Sequence, residues 1–386
     1  MMARVRFPRE TSISRVSVEQ DDDAKAIAGF VEQGARIVHL QFFVWKVSHI
    51  SSVEQTFQCR FNLRASYAEE AVKLNRTEVM TQWDASCFTF KPQLRFTSLL
   101  EEVSEREEWW RVTGDNFAKE VSPADLGDLS DKVWVHQNMR ISGLFEEKFE
   151  LRSFPLDLQF LHISITSSWD TSQLALRFSE LQRSSVSANA SISQLFDMHK
   201  PRLLAFDSGQ WVHGQDLALL SMPEESRTGV RYCRAHIALT LKRHATYYVW
   251  NIGTMQLLIC LAGYSTFAIE PEAVSDRLAN IITLILASAA FKFVTTSMLP
   301  ETPYVTIIDE LNYFVLAQQA FILLFVSVFA RAGLTAQSVD DVFALAMVAS
   351  LGGFLLLYLI RVLHAHSKRE RLLEAINEAY ERYYRR

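Results

Sequence analysis

Six residues at alternating steps of four and three, Ala279, Thr283, Leu286, Ala290, Phe293 and Ser297, fall inside one apolar stretch. A helix of 3.6 residues per turn lays them along a single face. The chemistry open to such a stripe is the passage of ions. Small and hydroxylated positions leave room for a hydrated ion, and Leu286 and Phe293 would form apolar rings that close by dewetting. Small residues also let helices pack closely, and periodicity alone does not choose between a pore and a packing face. Asp276, just ahead of the stretch, would make an acidic ring that attracts cations if repeated around a symmetric axis. The same carboxylate also suits a helix N-terminus. Lys292 lies in the stretch but off the stripe, and a charge at that depth requires a partner or a water-filled pocket.

No other constellation in the chain suits catalysis. There is no glycine-rich phosphate loop, no HExxH and no GxSxG, and no nucleophile stands beside a base, so neither an enzyme nor a cofactor is expected. The four cysteines, Cys59, Cys87, Cys233 and Cys260, show neither CxxC spacing nor a close pair, which removes a zinc site and a dense disulfide framework. A net charge of −5 over 386 residues argues against nucleic acid as a partner.

A chain this long exceeds one ordinary core, and its composition shifts near Thr246. Four apolar stretches follow, at about 247–269, 278–299, 307–330 and 342–363, each near the roughly 20 residues that span a bilayer. Their connectors are short, so neighbouring helices are expected to run antiparallel within 246–364, with membrane lipid around them. A charged amphipathic tail, 365–386, either extends the last helix or lies on the membrane surface. Ahead of the spans, runs such as DLQFLHISITS and AHIALTLKR alternate polar and apolar residues, the pattern of antiparallel strands in a β-sandwich over 36–245. An N-terminal segment, 1–35, has a helical pattern at DDAKAIAGFVEQ and lacks the apolar core of a secretory signal. Sequons start at Asn75 and Asn189.

FELRSFPLDLQFLHI carries an FPxDxQ element in Phe154, Pro155, Asp157 and Gln159, and here the chain resembles the Cys-loop receptor superfamily of pentameric ligand-gated ion channels. No cysteine flanks the element, which is similar to the bacterial members. The likeness continues in VEQTF, FKPQLRF, KRHATYYVWNI and the block from DRLANIITLIL to ETPYVTIID, all in family order. It implies a homopentamer, an extracellular or periplasmic sandwich with the C-terminus on the same side of the cell membrane, a four-helix transmembrane bundle, and the stripe facing the pore. Ser275, Asp276 and Arg277 stand where anion-selective relatives carry Pro-Ala-Arg, so permeant cations are expected. The resemblance also implies a coupling zone: Asp157 paired with Arg243, Pro155 beside them, Val53 and Glu54 in the loop 50–55, and Pro300 and Tyr304 in the linker after the second span. For a small-molecule agonist it implies an aromatic site at the subunit boundary, with Tyr232, with Trp169 shifted by one position, and with Asn62 where an aromatic is usual. An amine fits such a site; protons acting on His162, His236 or His244 are the other expectation. Met255 replaces a usual proline, with Gly253 nearby. A membrane-anchored oligomeric binding protein that conducts nothing stays open as an alternative; a transporter would show repeats, and none is seen.

Overall fold

The computed structural model describes residues 34–74, 82–114, 132–178, 203–207, 211–225, 229–297, 302–332 and 337–384. The helical pattern at 22–33, both sequons and Pro300 lie outside them.

Among the described residues, eleven strands form two sheets. The first joins β1 (Arg36–Ser51), β2 (Thr56–Glu70), β4 (Leu99–Glu102), β5 (Glu107–Thr113), β6 (Lys132–Glu146), β8 (Leu174–Phe178) and β9 (Leu203–Asp207), in the order β4-β6-β2-β1-β8, with β5 on β6 and β9 on β1. The second runs β10-β11-β7-β3, from β10 (Trp211–Glu225), β11 (Arg231–Arg243), β7 (Leu158–Ser167) and β3 (Leu94–Phe96). β7 shows why: its side chains alternate strictly between buried and half-buried, so Leu161, Ile163 and Ile165 face inward as the period of two requires. Residues of both sheets, among them Phe57, Phe61, Phe145, Ile163 and Leu239, share one apolar core. Gly143 on β6 admits β4 closely, since a Cβ there would lie 2.3 Å from Leu99 Cδ1 and 3.2 Å from the Glu101 carbonyl oxygen.

β11 leads straight into the helical half. Helix α1 (Thr254–Gly263) is preceded by an α-helical turn, Ala245–Tyr248, and a π-helical turn, Val249–Gly253, and is followed by a 3-10 turn, Tyr264–Ala268. Then come α2 (Val274–Thr296), α3 (Ile307–Ala332) and α4 (Gln337–Tyr384). The last three are long and apolar enough to cross a membrane. α1 packs on α2 and α3, and Ile281, Ile322, Phe325 and Met347 tie α2, α3 and α4 together.

One expectation changes. The span at 247–269 is not one α-helix but this succession of short pieces. Asn251 Nδ2 donates to the Tyr247 carbonyl at 2.9 Å and Thr254 Oγ1 donates to that of Trp250, so side chains compete with the backbone ladder where the π turn lies. Of the two readings of the tail, the structure has the first: it extends the last helix, and α4 runs 48 residues without a break. The tail after His364 contains no glycine or proline and is rich in helix formers, so nothing stops the helix.

Candidate functional site

Every residue of the stripe on α2 is exposed in the folded subunit: Asp276, Ala279, Thr283, Leu286, Ala290, Phe293 and Ser297. Leu286 is 69% and Phe293 78% exposed. The opposite face, Arg277, Ile281, Ser288 and Thr295, is buried. There Ser288 donates to Gln319 Oε1 at 2.9 Å, and Thr295 Oγ1 accepts from Asn312 at 3.2 Å. α2 therefore spends its packing contacts on one side and leaves the small, hydroxylated and acid-tipped side open. Thr283 Oγ1 donates to the Ala279 carbonyl at 2.8 Å.

The charges in this helix have partners that the sequence did not name. Lys292 pairs with Asp309 at the start of α3 and lies 5.0 Å from the Tyr313 ring centre. Asp309 also accepts from the Thr306 backbone at 3.1 Å and its hydroxyl at 2.8 Å. Arg277 is buried and spent on the Ile269 carbonyl and on Asp340 of α4. Asp276 is thus the exposed charge at that end of the stripe, while Arg277 holds the helix ends together.

The coupling residues gather where the sheets meet the helices. Arg243 Nε donates to Asp157 Oδ1 at 2.9 Å, with the two side chains only 2% and 1% exposed. Arg243 Nη2 donates to Ser52 Oγ at 2.9 Å, and its guanidinium carbon lies 3.9 Å from the Trp211 ring centre and 4.9 Å from that of Phe154. Gln159 donates to Asp157 Oδ2 at 2.7 Å. A buried ion pair is expensive unless its remaining hydrogen-bonding capacity is met, and here both partners are met on several sides. Pro155 is buried in the same loop, where Phe154 packs edge-on to Tyr248 at 4.7 Å. Tyr304 joins from the linker before α3: its hydroxyl accepts from the Leu151 backbone at 2.9 Å, and Arg152 lies 5.1 Å from its ring. Val53 and Glu54 occupy the exposed turn between β1 and β2, linked to this network through the neighbouring Ser52.

The ligand candidates are dispersed. Trp169 is half-buried, donates from Nε1 to the Lys91 carbonyl at 2.7 Å and stacks on Phe90 at 5.9 Å. Tyr232 lies on β11 two residues before its pairing with β7 begins at Arg234 and Thr166, and next to it the Arg231 carbonyl accepts from the Thr171 backbone at 2.9 Å. Asn62 sits on the other sheet, accepting from Arg140 at 3.4 Å. The chain by itself does not bring the three into one site. Of the histidines, His162 meets Glu147 at 2.8 Å, and burial lowers His236 to about 4, with the charges of His162 and Arg234 adding to the effect. His244 is exposed.

Two cation clusters were not legible. Arg36 lies 4.3 Å from the Phe90 ring centre and pairs with Glu69 at 2.6 Å, and Arg140 lies beside Trp45 and Trp109. Both depend on strand register, for which the sequence carries no direct mark. No protein-family profile and no curated protein matches the chain.

Proposed function

We propose that this chain is one subunit of a homopentameric ligand-gated ion channel of the Cys-loop receptor superfamily, most similar to the bacterial members without the disulfide, and that it conducts cations across the cell membrane. The observation that carries this is the open face of α2. Lipid is a poor neighbour for a face that begins in Asp276 and contains Thr283 and Ser297. Five copies around an axis give that face water, with Leu286 and Phe293 as the apolar constriction and Asp276 as the cation-attracting ring.

Topology supports a fourth crossing by the helical path through α1. Lys242, at the end of the strand that enters that path, pairs with Glu370 of α4 at 2.8 Å. This contact fits a topology in which the sandwich and the Glu370 part of α4 lie on one side of the membrane, as four crossings give and three do not. The Asp157–Arg243 network then stands between the ligand-sensing half and the pore, and a rearrangement there, biased by a small molecule bound at the subunit boundary, opens the channel.

The test is current through the purified protein in a planar bilayer under asymmetric sodium chloride, with amines, carboxylates and pH steps as stimuli. Reversal near the sodium potential, moved by Asp276→Ala, is the expected result. A pentamer silent under every stimulus would overturn the proposal in favour of an anchored, non-conducting binding protein.

A further inference from the structure

On the outer face of the first sheet, Arg140 stands between two indoles. Its guanidinium carbon lies 5.8 Å from the Trp45 ring centre and 5.7 Å from that of Trp109. Nη1 donates to Glu107 Oε2 at 2.8 Å and Nε to Asn62 Oδ1 at 3.4 Å. Trp45 is the extra residue of a bulge in β1, a device that re-aims a side chain, and it is 37% exposed with Phe43 edge-on at 5.3 Å. The register spreads further cations over the same face: Arg60 and Arg64 flank Asn62 along β2, Lys46 stands opposite Arg60, and Arg111 stands opposite His136. By the strand period Glu70 and Glu146 share this face with Glu107, and the three are outnumbered by Lys46, Arg60, Arg64, Arg111, Lys132 and Arg140, in a protein whose net charge is −5. Charge is therefore sorted onto this face.

We propose that this face binds an anionic ligand in which a carboxylate adjoins a flat ring. Arg140 takes the carboxylate, because a planar guanidinium matches it in a two-bond fork, and Trp45 and Trp109 receive the ring. A cationic amine, the other ligand suited to aromatic walls, is opposed by the guanidinium already held there. The Phe90 ring beside Trp169 is likewise covered by Arg36, so the aromatic groups on both sheets carry cations of the chain's own. Glu107, its side chain 57% exposed, fills the position that the ligand's carboxylate takes over. Binding does not depend on conduction; only the location of this face at a subunit boundary, through Asn62, rests on the channel reading.

The test uses the full chain in detergent and follows tryptophan fluorescence while benzoate, or benzylamine of the same size and opposite charge, is titrated. Benzoate is expected to give a saturable change that weakens with salt, and benzylamine none. Arg140→Gln should lower benzoate affinity about tenfold or more, the usual worth of a charge-assisted bond. Glu107→Gln should raise it, a gain that a folding defect does not produce. A response to benzylamine equal to that to benzoate, the absence of a saturable benzoate response, or a Glu107→Gln variant that binds no more tightly overturns the proposal. Benzoate binding by a protein that passes no current would sink the channel reading alone; current without benzoate binding would sink this one alone.

Discussion

At the scale of residues, the buried charges and histidines decide what the chain tolerates. Lys292 and Asp309 are partly buried, and removing one leaves the other's charge unmatched between two helices. Lys292→Met should therefore cost about 1–3 kcal/mol, discounted for partial exposure. The double variant Lys292→Met/Asp309→Asn, which keeps an acceptor for Thr306, should recover most of it; thermal unfolding in detergent measures both. His136 bonds to Ser66 and Thr113 at 2.8 and 2.9 Å, and burial lowers it from 6.5 to about 3, helped by the charges of Arg64 and Arg111. His236 lies at about 4 for the same first reason. With the folded values depressed, the unfolded chain takes up protons that the fold refuses. Their stabilising contribution is whole above pH 6.5 and is lost as pH falls towards 4 and then 3. Each contributes on the order of 2 kcal/mol over that range. His136→Gln should flatten the fall of the sandwich's melting temperature between pH 6 and 4, as scanning calorimetry would record.

At the scale of elements, backbone proximity separates the glycines. Gly143→Ala forces a methyl against Leu99 and a backbone carbonyl where β4 meets β6, and a loss of about 1–3 kcal/mol is expected. At Gly253 a Cβ meets no atom within 4 Å, and the backbone is right-handed helical, so Gly253→Ala should be neutral or stabilise by up to about 1 kcal/mol. Denaturant titration of both variants separates the two outcomes. How far such elements could be read from sequence depended on how local their cause is. β7 and β11 announce themselves by alternation, and the α2 stripe by its steps of three and four, because period and spacing are properties of the segment itself. The π turn before α1 rests on two side-chain bonds to the backbone, and the bulge at Trp45 rests on the register of β1 against β2. Neither leaves a periodic trace. The Asp157–Arg243 pair and the loop 50–55 that brings Ser52 to it were legible through resemblance, whereas Trp211 was not, since it arrives from β10.

At the scale of the whole molecule, the contacts between the two halves include the Arg243 network, the Tyr304–Leu151 bond and the ion pair Lys242–Glu370. Adjacent residues of one strand thus hold the loop that faces the helices and the far part of α4. The proposed channel should feel this. Charge reversal by Lys242→Glu or Glu370→Lys is expected to shift the stimulus needed for half-maximal current, and the double reversal to restore it. Equal shifts that simply add in the double variant would show that the pair carries no coupling. Because both side chains keep more than a third of their surface in solvent, the direct effect on stability is expected to stay below about 1 kcal/mol.

α4 measures roughly 72 Å at 1.5 Å per residue, against about 30 Å of hydrocarbon. About 30 Å of it follows residue 363, where its apolar stretch ends, and Glu370 stands about 10 Å along that part. A change of about 5° in its tilt, of the kind a thinner or thicker bilayer imposes, moves Glu370 by about 1 Å and the end of the helix by about 3 Å. Set against the 2.8 Å Lys242–Glu370 bond, the shift at Glu370 is enough to lengthen it. In the proposed channel, lipid composition thus becomes a mechanical input delivered to the residue beside Arg243.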